Sequence, residues 1–142
     1  MAFIPRDSKM TKLKMTEAFG RYGATLKNRM WSVSAWTPDD ELVLSMWAHH
    51  YRKGAEPGTV EYAAATSRWE GPGKKEFVEN VDRAYAEKRK IRLVIATTKD
   101  VGTIERGEDA SKVDKDFDVR ADLIGEVAFW DGEQYVVRFR RA

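Results

Sequence analysis

The densest run of side chains suited to chemistry is Asn28-Arg29-Met30-Trp31-Ser32-Val33-Ser34-Ala35-Trp36, followed by Trp47, His49, His50 and Tyr51. Three indoles, two imidazoles and a phenol thus lie on or beside one stretch of chain, with Lys27, Arg29, Arg52 and Lys53 at its ends. Aromatic faces next to cations suit an unstacked nucleobase, because the ring stacks and the cations neutralise phosphate. A pocket for an extruded base uses the same parts. In that reading Trp31, Trp36, Trp47 and Tyr51 stack. Asn28, Ser32, Ser34 and His49 supply polar edges. Lys12, Lys14, Lys27, Arg29, Arg52 and Lys53 contact phosphate. The competing reading is that the tryptophans are core, since indoles in small domains are mostly buried with their N–H bonded.

Other chemistries find less support. Neighbouring residues of a strand point to opposite faces. If His49 and His50 are both in a strand, they cannot ligate one metal ion without a bend. No H-x-H or H-x-x-x-H spacing exists. The pair therefore reads as hydrogen-bonding or phosphate-contacting rather than metal-ligating, and no metal or other cofactor is implied. The carboxylates that a metal-dependent nuclease would need are Asp39, Asp40, Glu61, Asp118, Asp122 and Glu126. Asp118 and Asp122 form the most plausible centre among them, but their alternation fits a solvated sheet face equally well. Gly71-Pro72-Gly73-Lys74-Lys75 lacks the spacing and the Ser/Thr of a phosphate loop. The chain contains no Cys, which excludes a disulfide scaffold, a thiolate zinc site and a cysteine nucleophile.

These residues need elements to hold them. At 142 residues and 42% hydrophobic content the chain suits one domain with a real core. Residues 1–10 read as a loose arm, and Thr11 to Phe19 as a short helix. Met30 to Trp36 and Leu42 to His49 read as a hairpin around Thr37-Pro38-Asp39-Asp40. Leu42, Leu44, Met46 and Ala48 form its apolar, core-facing set. Ser32, Ser34 and Trp36, like Val43, Ser45, Trp47 and His49, belong to mixed faces, where at least one indole is expected beside a concave site. Val60 to Ala65 is a third strand. Lys74 to Arg89 is the best helix, with Phe77, Val78, Val81, Ala84 and Tyr85 at helical spacing. Ile91 to Thr97 is a buried strand. Lys99 to Asp116 is a long charged loop, expected to be mobile. Glu126 to Trp130 and Gln134 to Arg140 form a second hairpin around Asp131-Gly132, a type I′ signal.

Charge adds one asymmetry. The 25 basic and 23 acidic residues nearly cancel, to a net +2. Within the first 30 residues, however, seven basic residues stand against Asp7 and Glu17, a local +5. No apolar run approaches the roughly 20 residues needed to span a bilayer, and no apolar leader is evident. A cytoplasmic protein is therefore expected.

The runs Lys27-Asn28-Arg29-Met30-Trp31-Ser32 and Val43-Leu44-Ser45-Met46-Trp47 add a resemblance. With Trp69-Glu70-Gly71-Pro72-Gly73 and Val94-Ile95-Ala96-Thr97-Thr98-Lys99-Asp100, the stretch from 27 to 100 resembles small uncharacterised prokaryotic and phage domains. Those carry R-N-x-x-W-S followed by L-[ST]-x-W and sometimes stand beside HNH-type restriction nucleases. The resemblance implies a DNA-facing role in restriction or phage defence and transfers no site residue. There is no HNH motif here, so a nuclease would be a partner chain. In architecture alone the chain is similar to PUA-like readers of modified bases.

The sequence thus predicts a single α+β domain. Its sheet is mixed, largely antiparallel and curved, with five or six strands, one main helix packed on it and a short N-terminal helix. The expected function is a non-enzymatic nucleic-acid-binding module, a reader of a modified or extruded base. A small metal-dependent nuclease and a protein-interaction module using the acidic 99–118 stretch are the alternatives. Expected partners are nucleic acid, with DNA favoured, and a nuclease or a second copy of the chain; no membrane is expected.

Overall fold

A computed structural model describes residues 13–67, 69–108 and 113–142. The expected arm at 1–10, Lys12 and residues 109–112 of the expected loop lie outside the described residues. The fold is α+β, with eight strands in one mixed sheet. In chain order the elements are α1 (Met15–Gly20), β1 (Ser34–Trp36), β2 (Leu42–Trp47), a 3-10 turn (Ala48–His50), β3 (Tyr51–Lys53), β4 (Thr59–Ala65), α2 (Pro72–Glu87), β5 (Ile91–Thr97), α3 (Val101–Glu105), β6 (Asp116–Val119), β7 (Leu123–Trp130) and β8 (Gln134–Arg141). None of the described helices is long and apolar enough to cross a membrane.

The strands run β1-β2-β5-β7-β8-β4-β3, with β6 pairing on β5. β2 and β5 are parallel, and every other pair is antiparallel. This order forces curvature. β2 and β3 lie five strand intervals apart, about 24 Å in a flat sheet, yet three residues join them. Four virtual bonds reach at most about 14 Å. The sheet must therefore roll until its ends approach, and the 3-10 turn packs against both β5 and β4.

Two apolar clusters cover the two faces. Leu42, Leu44 and Met46 join Ile91, Leu93, Ile95, Val137 and Phe139 on the face closed by α2. α2 contributes Phe77, Val81 and Ala84, spaced to form one stripe. Its start is set by Gly71, at φ 105°, and by Pro72 in the first turn. Gly73 presses against the chain before β1, where a Cβ would come within 2.6 Å of the Trp31 carbonyl oxygen. On the opposite face Val43, Val94, Ala96 and Phe117 pack against Ala18 and Phe19 of α1.

Several expectations need correction. Among the described residues there are eight strands rather than five or six, because two short ones join the sheet: β3, three residues with no apolar position, and β6, four residues that alternate Asp-Phe-Asp-Val within the charged stretch. The first hairpin is shorter at both ends: Asn28 to Trp31 form a turn, and β2 stops at Trp47. Trp36 pairs with Leu42 and shares its face, so Trp36 and Trp47 lie on opposite faces of the sheet. The charged 99–116 stretch contains α3 rather than loop alone. The turn at 131–133 is not type I′, since that type needs two positive φ angles and Gly132 alone has one there. Instead the Asp131 carboxylate accepts the Glu133 and Gln134 N–H groups, at 2.9 and 2.6 Å.

Candidate metal centre

The chain leaves β2 through a 3-10 turn, and this changes where the two histidines point. Successive side chains diverge by about 180° in a strand but by about 120° at three residues per turn. The bend that strand geometry denied is therefore present. The His49 and His50 rings lie 4.4 Å apart at 71°, and both aim Nε2 at one atom. Glu105 Oε2 stands 3.2 Å from His49 Nε2 and 2.9 Å from His50 Nε2. Glu105 ends α3, which follows β5. Because β2 and β5 are parallel neighbours, their continuations emerge at the same end of the sheet. That end is where ligands usually sit beside parallel strands.

Among the described residues, His49, His50 and Glu105 form the one group of three whose ligand atoms all lie within 4.8 Å of one another. The His50 side chain is 15% exposed and that of Glu105 45%. Burial pushes the His50 imidazole below its ordinary pKa, although the bond to Glu105 pulls the other way. His50 is thus biased toward the neutral form that a metal requires. Its N–H, together with that of His49, holds the Glu105 carboxyl below the usual carboxylate range. Trp47 stacks on His49, with centroids 6.0 Å apart and planes at 29°, and so restrains that ring.

The other residues singled out in the sequence are dispersed. Trp36 donates its indole N–H to Asn80 Oδ1 at 3.0 Å, and Asn80 Nδ2 donates to Ser34 Oγ at 2.9 Å. The Arg83 guanidinium lies over the Trp36 ring at 4.1 Å. This group fastens β1 to α2. Ser32 is buried and accepts the Asn28 N–H, while Asn28 Oδ1 accepts the Met30 N–H. Trp31 is half-buried at the end of that turn. Lys14, Lys27, Arg29 and Lys53 are exposed. Tyr51 is 39% exposed and meets Tyr62 edge-on. Arg52 is committed to Glu61 at 2.9 Å.

The carboxylates of the nuclease alternative do not converge. Asp118 accepts the Val119 N–H, and Asp122 takes both arms of the Arg120 guanidinium at 2.9 and 2.7 Å. Sequence reasoning missed Glu105, one of eight acidic residues between 99 and 122 with no pattern to distinguish it. No family model matches the chain, and neither the curated proteins nor the solved structures contain a significant match.

Proposed function

We propose that this chain binds one divalent first-row transition metal ion through His49 Nε2, His50 Nε2 and Glu105. One observation carries the reading. Zinc bonds to nitrogen and oxygen are about 2.0–2.2 Å, so neighbouring ligand atoms of a tetrahedral site lie about 3.3 Å apart. The two Nε2···Oε2 separations of 3.2 and 2.9 Å are close to that edge before any ion is added. Two imidazoles and a carboxylate suit zinc, nickel or copper better than magnesium or calcium. Three protein ligands also leave a position for water, the pattern of reactive rather than purely structural zinc sites. Calorimetric titration with zinc, and cobalt titration followed by its visible absorption, test this. One ion per chain is expected, with binding lost in His50→Ala and Glu105→Ala. Unchanged zinc affinity in both variants would overturn the assignment.

A second reading, nucleic-acid binding, has its own support. Tyr51, Arg52 and Lys53 follow His50 directly and are all exposed on an edge strand. An aromatic ring flanked by cations on an open edge suits a single strand, which stacks and pairs its phosphates. In this reading Tyr51 rather than Trp36 is the stacking residue, because the Trp36 N–H and ring face are already engaged by Asn80 and Arg83. Replacing Tyr51 by Ala should weaken binding of a fluorescent oligothymidine by about 1–3 kcal/mol. No binding of either single- or double-stranded oligonucleotides by the intact chain would remove this reading.

A further inference from the structure

α2 ends in a sharp turn that sets three consecutive cations beside the sheet. Lys88 takes the left-handed conformation, at φ 54°. The Arg89 N–H then donates back to the Ala84 carbonyl at 2.9 Å, and the Lys90 carbonyl accepts the Leu42 N–H at 2.9 Å. β5 starts at the next residue, where Ile91 pairs with Gly125 of β7. At this junction, at the opposite end of β5 from the two histidines, lies an open cleft of about 420 Å³. Lys88, Arg89, Lys90 and Arg140 line it, together with Ile124, Gly125 and a single carboxylate, Glu126.

The four cations are unequally engaged. Arg89 is held by Glu87 at 2.9 Å. Arg140 reaches Glu56 at 3.3 Å and Glu126 at 3.4 Å, both long for a guanidinium–carboxylate pair. Lys88 and Lys90 are exposed and carry no salt bridge among the described residues. The macrodipole of α2 favours a cation at this end, but it does not account for Arg140, which enters from β8. Backbone preference does not account for Lys88 either, since glycine takes a left-handed position after a helix with less strain. Positive charge is thus gathered here against like-charge repulsion and, at Lys88, against the backbone. We infer that this cleft binds a phosphorylated small molecule of about nucleotide size. Its phosphate lies between Lys88 and Lys90, and its organic part rests on Ile124 and the Gly125 backbone. Apolar walls with a few placed charges, in a volume of this order, are the usual make-up of a small-ligand site. A long polyanion fits less well. Glu87 accompanies Arg89, and Glu56 and Glu126 accompany Arg140. A single phosphate group stays clear of these carboxylates, whereas a strand has to pass them.

The test titrates ADP and inorganic pyrophosphate into the intact chain by calorimetry, with adenosine as the uncharged control. ADP is expected to bind at one per chain, pyrophosphate more weakly and adenosine not measurably. Lys88→Gly and Lys90→Ala should each weaken ADP binding by about tenfold, the effect of losing one charge-assisted bond. Lys88→Gly also separates binding from folding. Glycine relieves the left-handed backbone, so the Tm of this variant should match or exceed that of the parent while its ADP affinity falls. If neither ADP nor pyrophosphate binds, there is no phosphate site here and the inference fails. ADP affinity that is unchanged in both variants puts the ligand elsewhere, with the same consequence. Pyrophosphate binding as tightly as ADP would overturn the role of Ile124 and Gly125. Oligothymidine that displaces ADP from the parent would make the cleft a strand-binding surface and overturn the small-molecule assignment.

Discussion

Glu61 lies in the middle of β4 with 1% of its side chain exposed, a position where an uncompensated carboxylate would not survive. Burial by itself would raise its pKa. The Ala55 N–H and the guanidinium groups of Arg138 and Arg52, at 3.1, 2.9 and 2.9 Å, outweigh that and hold the carboxyl below its usual range. The strand register explains the geometry, since Arg52, Glu61, Arg138 and Glu126 are successive cross-strand partners. Replacing Glu61 by Ala would remove the buried partner of two guanidinium groups, of which Arg52 is half exposed and Arg138 keeps Glu56. It should cost about 1–3 kcal/mol in chemical denaturation; no measurable loss would mean that the charges relax fully into water. His50 also loses its effect on acidification, but at higher pH. Its folded pKa lies below the ordinary value of 6.5, so its stabilising effect is complete above pH 6.5. The effect is lost as pH falls through the lower folded value, because the unfolded chain takes the proton first. In metal-free protein His50→Gln should therefore lose less stability than the parent between pH 7 and pH 5. Equal losses would show that His50 does not titrate differently in the two states.

At the scale of elements, what the sequence displayed was periodicity, and what it hid was contact. Phe77, Val81 and Ala84 repeat at helical spacing, and α2 forms over Pro72–Glu87. Ile91 to Thr97 is a continuous apolar run, and it forms the strand between the two clusters. β3, Tyr-Arg-Lys, has no such signature, while β6 alternates over only four residues inside a charged stretch, too short to stand out although Phe117 and Val119 reach the second cluster. The candidate site escaped for a related reason. A 3-10 turn of three residues carries no period, and Glu105 became relevant only when β2 and β5 paired in parallel. The serines beside Trp36 also misled, since hydroxyls in an apolar face imply either solvent or a partner. Here the partner of Ser34 is Asn80, 46 residues further along the chain in α2, and that of Ser32 is the Asn28 N–H. The β1–α2 joint makes a measurable prediction. Trp36→Phe keeps an aromatic ring but removes the N–H-bearing half of the indole, leaving Asn80 Oδ1 unpaired in a half-buried place. A destabilisation of about 1 kcal/mol from the lost bond is expected on top of the lost packing, and in Asn80→Ala the same change at Trp36 should cost less by about that amount. If the two effects simply add, the bond contributes nothing to the joint.

Over the whole molecule the charges nearly cancel, so any attraction for a polyanion must come from where the unpaired cations lie. Arg83, Arg89, Arg120, Arg138 and Arg140 are all engaged with carboxylates. Lys14, Lys27, Arg29 and Lys53 are exposed and carry no salt bridge among the described residues. The rolled sheet matters here, because β3 follows β2 by three residues and cannot stray far from it. If a single strand runs along β3, phosphate contact releases counterions. The affinity should then fall with salt at a slope of about −0.7 per neutralised phosphate. With four such cations engaged, log K should drop by about 3 for each tenfold rise in salt. Lys53→Ala should reduce that slope by about one contact and leave base preference unchanged. Arg52→Ala is the informative contrast: its guanidinium already serves Glu61, so its loss should lower stability more than it alters the slope. Oligothymidine affinity that ignores salt, or a slope that Lys53→Ala leaves intact while Arg52→Ala flattens it, would place the anion elsewhere and end the case for this edge.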